Sequence, residues 1–391
     1  MQLITKINQI LAKIYSHNQQ ANLIYFESFH GKKYSDNPKA IYEYIQKYHL
    51  PFTCIWGVTK GYEDLFVEQK IPHVRRFSLP WLKVIWQARF WITNTRTKTW
   101  IPKGPKTLYL ETWHGTPLKY IGLDIKEAQI GQQTAAEYRQ SVLAETALWD
   151  VVLTNSPYTT NCFTSAFNLQ AQQFLPTGQP RNDLLVQNDI NVAAQIKQRL
   201  QLAGKRIFLY APTWREDQKN QQGYKSILPF NLTKIAQKLQ PDDVLLLRMH
   251  YLVAEQLKIP AAVQQQIIDV SAYPDMADLL LISDALITDY SSCFFDYALL
   301  KRPILFYMPD RIHYTEELRG LYEQDLEQNL PSIIVETEHD FYTALTKLVQ
   351  GEIGVDEAKY QQFNQKYNLY ETGTACQQVT DWLRQMKGVE K

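Results

Sequence analysis

The sequence predicts an α/β protein made of two doubly wound, Rossmann-like domains that face each other across a cleft. Three observations lead there. Short apolar runs alternate with helical patterns along the chain, the alternation occurs in each half, and the Gly- and Pro-bearing stretch Leu175 to Asp183 (LPTGQPRND) divides the halves. At 391 residues and 45% hydrophobic content the chain exceeds one ordinary core, so the expected domains are 1–183 and 184–391.

In the first half, Leu23 to Phe26, Phe52 to Trp56, Phe90 to Thr93, Leu108 to Leu110 and Val151 to Thr154 are the strand candidates. Ile207 to Ala211, Val244 to Arg248, Ile267 to Val270, Ala285 to Thr288 and Ile304 to Tyr307 play that part in the second half. Helical patterns such as Asn37 to Lys47 and Ile190 to Leu202 separate them, which implies parallel sheets with crossover helices.

Composition excludes several functions. The 41 Lys+Arg against 40 Asp+Glu leave a formal net charge of +1, so bulk charge names no nucleic-acid partner. Cys54, Cys162, Cys293 and Cys376 lie far apart without metal-ligand spacing, which predicts reduced thiols, no disulfide and no structural zinc. No apolar run approaches the roughly 20 residues that span a bilayer, and no leader-like segment opens the chain, so a cytoplasmic protein is expected. GxxxxGK[ST], GxGxxG and Asp-x-Asp are all absent, which argues against a P-loop kinase or a dinucleotide dehydrogenase and predicts neither metal nor cofactor.

Ligands of doubly wound domains bind at the carboxyl ends of the strands, and polar groups gather there. His114 and Gly115 follow Leu108 to Leu110; Thr213, Trp214 and Arg215 follow Ile207 to Ala211; Arg248 and His250 end the next run; Asp289-Tyr290-Ser291-Ser292 follow Ala285 to Thr288. A helical run from there through Leu300 places Ser291 and Ser292 near a helix N-terminus, which suits phosphate. Each feature also has a structural reading: His114 as packing, the serines as a cap, Arg248 as half of an ion pair. Their coincidence at four strand ends favours a cleft for an anionic, phosphate-bearing ligand.

The motifs WHGTPLK (113–119), PRND (180–183), APTWRE (211–216), RMH (248–250) and TDYSSCFFD (288–296), with the early ESFHGKKYSDNPKAIYEYI (27–45), resemble the CDP-glycerol glycerophosphotransferase family of teichoic acid synthesis. Six motifs in order make the resemblance specific. It implies a GT-B fold, a CDP-glycerol or similar CDP-polyol donor, an undecaprenyl-diphosphate-linked saccharide acceptor, and release of CMP. Donor contacts carried over by the resemblance are Gly115, Thr116, Pro117, Leu118, Arg181, Thr213, Trp214, Arg248, Met249, Ser291, Ser292 and Asp296. His114 is the expected general base, with His250 as the alternative. Longer family members carry extra N-terminal regions that this chain lacks, which favours a priming or capsule enzyme over a long-polymer enzyme. A nucleotide-sugar glycosyltransferase is the second reading, and an idle binding subunit of an envelope assembly the third.

From Gln69 to Leu110 there is no acidic residue, whereas nine residues are basic and Trp81, Trp86, Trp91 and Trp100 lie among them. That mix suits an anionic membrane surface on the inner face of the cell membrane, with Arg75, Arg76, Trp81, Lys83 and Trp86 as the expected membrane or acceptor contacts. Leu3, Ile4, Ile7, Ile10, Leu11 and Ile14 add an amphipathic stripe. The structural alternative is that both pack on their own domain.

Overall fold

The chain forms two parallel sheets, of seven and six strands, that share one strand order over six of them, seen in a computed structural model that describes residues 18–101, 103–125, 134–213, 215, 219–220, 223–224, 228–249, 257–315 and 320–388. Two compact units result. Unit 1 takes residues up to His114, Ile121–Asp183 and Leu369 onward; unit 2 takes Gly115–Tyr120 and Leu184–Asn368.

Unit 1 carries β1 (Gln20–Glu27), β2 (Thr53–Val58), β3 (His73–Arg75), β4 (Ala88–Thr93), β5 (Leu108–Glu111), β6 (Val151–Leu153) and β7 (Phe174–Leu175), in the order β3-β2-β1-β4-β5-β6-β7. Every pairing is parallel. The order reverses between β1 and β4, which pair with Phe26 opposite Ile92 and Glu27 opposite Thr93. Both faces are covered: Leu23, Tyr25 and Trp91 enter one apolar cluster, whereas Ile24, Phe26, Phe90 and Ile92 enter another. Continuous apolar strands are the signature of such two-sided burial.

Unit 2 repeats the plan with β8 (Arg206–Tyr210), β11 (Asp243–Leu247), β12 (Ile267–Asp269), β13 (Ala285–Thr288), β14 (Ile304–Tyr307) and β15 (Ile334–Val335), ordered β12-β11-β8-β13-β14-β15. Its reversal falls between β8 and β13. A separate antiparallel pair, β9 (Lys219–Asn220) and β10 (Gly223–Tyr224), stands apart from that sheet. The strands absent from the sequence reading are β3, β7, β9, β10 and β15, all two or three residues long and too short for a periodic signal.

The closing segment differs from expectation, because residues 369–391 join unit 1 rather than the second domain. The helix Ala375–Lys387 buries Val379 and Leu383 in the cluster that holds Ile24 and Phe26. Asp183 secures its start, accepting the backbone N–H groups of Ala375 and Cys376, both at 2.8 Å. The expected helix at 190–202 runs Ile190–Arg199, with Asp189 accepting from the N–H groups of Asn191 and Val192.

The basic, tryptophan-rich run corrects the sequence reading most sharply. Trp81, Trp86 and Trp91 are each at most 1% exposed and lie in the unit 1 core, so Trp81 and Trp86 anchor no membrane. The Trp81 indole N–H donates to the Tyr25 hydroxyl at 2.8 Å. Arg76 is paired with buried Glu27 at 2.9 Å, Arg96 and Lys98 share Glu145, and Lys103 meets Asp150. Arg89 is buried against the Lys106 and Met386 carbonyls. The acids missing from the run arrive from elsewhere in the fold. Only Arg75 and Lys83, among the five residues expected at a membrane, remain exposed, beside Phe77 at 57% and Leu79 at 81%. The N-terminal stripe lies outside the described residues. No described helix is long and apolar enough to cross a membrane.

Burial separates two adjacent arginines. Arg76→Glu sets a second carboxylate against Glu27 and is expected to cost about 3–5 kcal/mol in urea unfolding, whereas Arg75→Glu should stay within about 0.5 kcal/mol of the parent.

Candidate active site

The carboxyl ends of β1, β4 and β5, at the strand-order reversal of unit 1, position His114. Asn94 directly follows β4, and its carbonyl lies 2.6 Å from His114 Nδ1. A carbonyl oxygen only accepts, so Nδ1 carries the hydrogen and the neutral ring keeps its lone pair on Nε2. The side chain is exposed at its surface, yet Trp113 stacks on it at 4.5 Å and Phe29 stands 5.7 Å away. The protein packed around the imidazole pushes its pKa below the ordinary range; the Asn94 carbonyl and Asp36 oppose this, and Arg181 adds to it.

Three supports hold that ring. Asn94 donates its amide to Asp36 Oδ2 at 2.7 Å and accepts the Phe29 backbone N–H at 2.8 Å. Asn37 donates to the Thr112 and Trp113 carbonyls at 3.2 Å each, pinning the backbone that leads to His114. Glu111, the last residue of β5, accepts the Trp113 N–H at 3.0 Å, with the Thr93 and Tyr109 hydroxyls donating to its other oxygen. Burial pushes the Glu111 carboxyl up to about 8. Trp113 itself sits at φ 54°, a left-handed conformation stabilised by its edge contact with Phe167 at 4.7 Å.

Arg181, one of the expected donor contacts, is tied into unit 1. It is buried at 8% exposure and pairs with Asp36 at 3.1 Å, while its backbone N–H donates to Asn37. Within unit 1 it therefore supports the residues that support His114. Asp36, Asn37, Asn94 and Glu111 are the residues that sequence reading missed. The only signal was the YSDNPKA portion of the early motif, to which no role could be given.

In unit 2 the reversal between β8 and β13 gathers the other motifs. Arg215 makes two bonds to Asp310, at 2.6 and 3.0 Å, and a third to Asp289 at 2.8 Å. Its guanidinium also lies over Tyr290 and Tyr314, at 5.1 and 4.7 Å, which stack on each other at 3.9 Å. Although burial works against its charge, Asp289 and Asp310 hold Arg215 protonated well above its usual range. Thr213 donates its N–H to Asp289 at 2.7 Å, and its buried hydroxyl meets no partner among the described residues. Thr213 and Arg215 are thus both tied to Asp289 at the start of the Asp289–Ser292 turn.

Gly115 belongs to the same group. A Cβ there would meet Ser292 Oγ at 2.7 Å, so the two residues are in close contact and a larger residue would have to displace the serine hydroxyl. Arg248 bonds to the Val270 carbonyl at 2.9 Å and to that of Ser271, and no carboxylate pairs with it among the described residues. Burial lowers its proton affinity, against Asp275 and Asp269. Its guanidinium meets carbonyl oxygens, whereas that of Arg215 meets two carboxylates.

Other expected donor contacts are less direct. Met249 sits in the apolar core and gives its N–H to Ser271 Oγ; Leu118 and Thr116 are each 2% exposed. Asp296 is buried on the short helix Cys293–Tyr297, which continues as a 3-10 turn, Ala298–Leu300. Ser292 precedes that helix without capping it through its side chain, and Ser291 Oγ donates to Cys293 Sγ. Pro117 is buried within unit 2. His250 and Trp214 lie outside the described residues. Among the described residues no group of His, Cys, Asp or Glu is arranged to hold a metal ion.

A family model described as CDP-glycerol:poly(glycerophosphate) glycerophosphotransferase matches residues 10–385. The teichoic acid glycerol-phosphate transferase of Staphylococcus aureus is 43% identical over 371 residues, covering 94% of each chain. The teichoic acid poly(glycerol phosphate) polymerase of Bacillus subtilis is 39% identical over 92% of this chain, which spans only 48% of that protein. Among solved structures, the wall teichoic acid polymerase TagF, in a variant soaked with CDPG, aligns with a TM-score of 0.88 and 34% identity over 98% of this chain and 93% of that one.

The ring signals of His114, followed by NMR, should titrate below the ordinary 6.5. Asp36→Asn removes a carboxylate that favours the charged ring, so the midpoint should fall further. A midpoint at or above the parent's would break the link between Asp36 and His114.

Proposed function

Because the chain belongs to the CDP-glycerol:poly(glycerophosphate) glycerophosphotransferase family, we propose that it transfers glycerol phosphate from CDP-glycerol to a hydroxyl of a lipid-linked acceptor in teichoic acid synthesis, releasing CMP. The observation that carries this reading is the bond from His114 Nδ1 to Asn94, which leaves Nε2 able to take a proton. The residue after His114 is Gly115, packed on Ser292, so one peptide bond joins the proposed base to the proposed donor group. The GT-B arrangement implied by the resemblance is part of this reading.

In the proposed step, the acceptor oxygen attacks the β-phosphorus of the donor while its proton passes to His114 Nε2. The bond from that phosphorus to the bridging oxygen breaks, and CMP leaves with the electron pair. Arg248 and the Thr213 hydroxyl are placed by the proposal on the diphosphate, where they steady charge as it moves to the leaving group. Arg215, already neutralised, holds the turn that presents Ser291 and Ser292.

The proposal also places unit 1 at an anionic membrane surface, through Arg75 and Lys83 with exposed Phe77 and Leu79. This is a smaller patch than the linear charge run suggests. It keeps the pairing of cations with apolar side chains that an interface favours.

Purified protein given CDP-glycerol and a lipid-linked acceptor should release CMP, and given UDP-sugars should release no UDP. His114→Ala should lower kcat by about 10²- to 10⁴-fold while CDP-glycerol binding, read by calorimetry, changes little. Arg248→Ala should weaken that binding about tenfold or more. Retention of more than about a tenth of activity by His114→Ala would move the base role to another group.

Vesicle co-sedimentation tests the surface. Arg75→Gln with Lys83→Gln should weaken binding to phosphatidylglycerol vesicles by roughly thirtyfold at low salt, and equal binding would reject the patch.

A further inference from the structure

On the transferase reading above, we propose that Gly320, Leu321 and Tyr322 are positioning residues for the donor: they clasp the end of the Gly115–Tyr120 segment and so fix the backbone of Gly115 to Leu118 for CDP-glycerol. That segment follows His114 directly and belongs to neither sheet. Its end is held by a short antiparallel pairing, with Lys119 opposite Leu321. The Tyr322 N–H donates to the Leu118 carbonyl at 2.9 Å, and the Tyr120 N–H donates to the Gly320 carbonyl at 2.8 Å. Leu118 and Leu321 are both buried, so the pairing turns its apolar side chains inward. Gly320 is fitted to its neighbour. A Cβ there would meet the Tyr120 ring at 2.3 Å, and that ring stands edge-on to Tyr322 at 4.8 Å, so an added methyl group must displace a packed aromatic side chain.

The start of the segment is held as well, and the two holds meet within unit 2. Gly115 packs on Ser292, which leads into the helix Cys293–Tyr297, and Phe295 of that helix stands edge-on to Tyr367 at 5.1 Å. The Tyr367 hydroxyl donates to Glu323 at 2.5 Å and the Lys366 ammonium donates to it at 2.6 Å; Glu323 is the next residue after Tyr322. A second route runs from the Lys119 ammonium, 5.9 Å from the centre of the Tyr314 ring, to the stack of Tyr314 on Tyr290, which precedes Ser291 and Ser292. Contacts thus close a ring around Gly115 to Leu118. A loop held only at its start keeps its conformational freedom and must be ordered each time a ligand binds, which costs affinity. The clasp removes that freedom before the donor arrives.

Gly320→Ala tests the clasp. The KM and the calorimetric Kd for CDP-glycerol should rise about tenfold or more, with the KM for the lipid-linked acceptor unchanged. The NMR midpoint of His114 should stay at the parent's value, because Asn94 and Asp36 act on the ring from unit 1. Adding Tyr120→Ala removes the ring that the new methyl group strikes, so the double variant should bind CDP-glycerol within about threefold of the parent. Amide exchange on the parent needs no variant: the Tyr120 and Tyr322 N–H groups should be protected before CDP-glycerol is added. A parent that binds CDP-glycerol but releases no CMP rejects the transferase reading, and the binding comparison still decides the clasp; a parent that does not bind CDP-glycerol rejects both. Equal Kd of the parent and Gly320→Ala overturns the proposal. So does a shifted His114 midpoint, a double variant that binds no better than Gly320→Ala, or rapid exchange of both amides in the free protein.

Discussion

The single bond from His114 Nδ1 to the Asn94 carbonyl orders the rest of unit 1 around it. It sets the tautomer of the imidazole, and a tautomer decides which nitrogen can accept a proton. A backbone carbonyl is a dependable partner only where the backbone cannot move. Asn94 is held from three directions: by β4 behind it, by the Phe29 N–H, and by Asp36. Asp36 in turn meets Arg181, which comes from the end of the Ile121–Asp183 stretch of unit 1. The parallel order places β4 between β1 and β5, which is why the loops after these three strands can share one set of hydrogen bonds.

The arginines divide by what neutralises them. Arg215 and Arg181 face carboxylates inside their own units and act as struts; their charge is already answered. Arg248 faces carbonyl oxygens, which bind a guanidinium without cancelling it. All three stand in motifs of similar appearance, and nothing in a linear motif states whether an arginine will find its counter-ion within the chain. The same holds for residues 69–110. A run without acids is strongly basic on paper, yet Glu27, Glu145 and Asp150 reach into it across the sheet. Linear charge patterning therefore overstates surface charge wherever the segment becomes a buried strand, as the Ala88–Thr93 strand does.

Buried carboxylates recur at the strand ends of unit 1. Glu111 titrates near 8, and Glu27 is also raised, in both cases chiefly by burial. A protonated Glu111 still accepts the Trp113 N–H, so its hold on the approach to His114 does not depend on its charge. Strain collects in the same place. Phe29, His30, Asp36 and Trp113 all have positive φ, and each is fixed by neighbours that tolerate no slack.

Much of the fold was legible in the sequence, because strand runs such as Leu23 to Phe26 and Ile304 to Tyr307 are buried on both faces and must be continuously apolar. The motifs that follow them were legible for the same reason: Gly115, Thr213 and Ser292 interrupt an apolar pattern where a loop must begin. The family itself followed from those motifs and their order. What no local pattern could reveal was partnership. That Asp36 would meet Asn94 and Arg181, that Asp183 would cap a helix nearly two hundred residues away, and that Trp81 would donate to Tyr25 depend on which strands lie side by side. Strand order is settled by the packing of whole helices and sheets, and so the tertiary structure alone decided which charged and aromatic residues face the protein and which stay exposed.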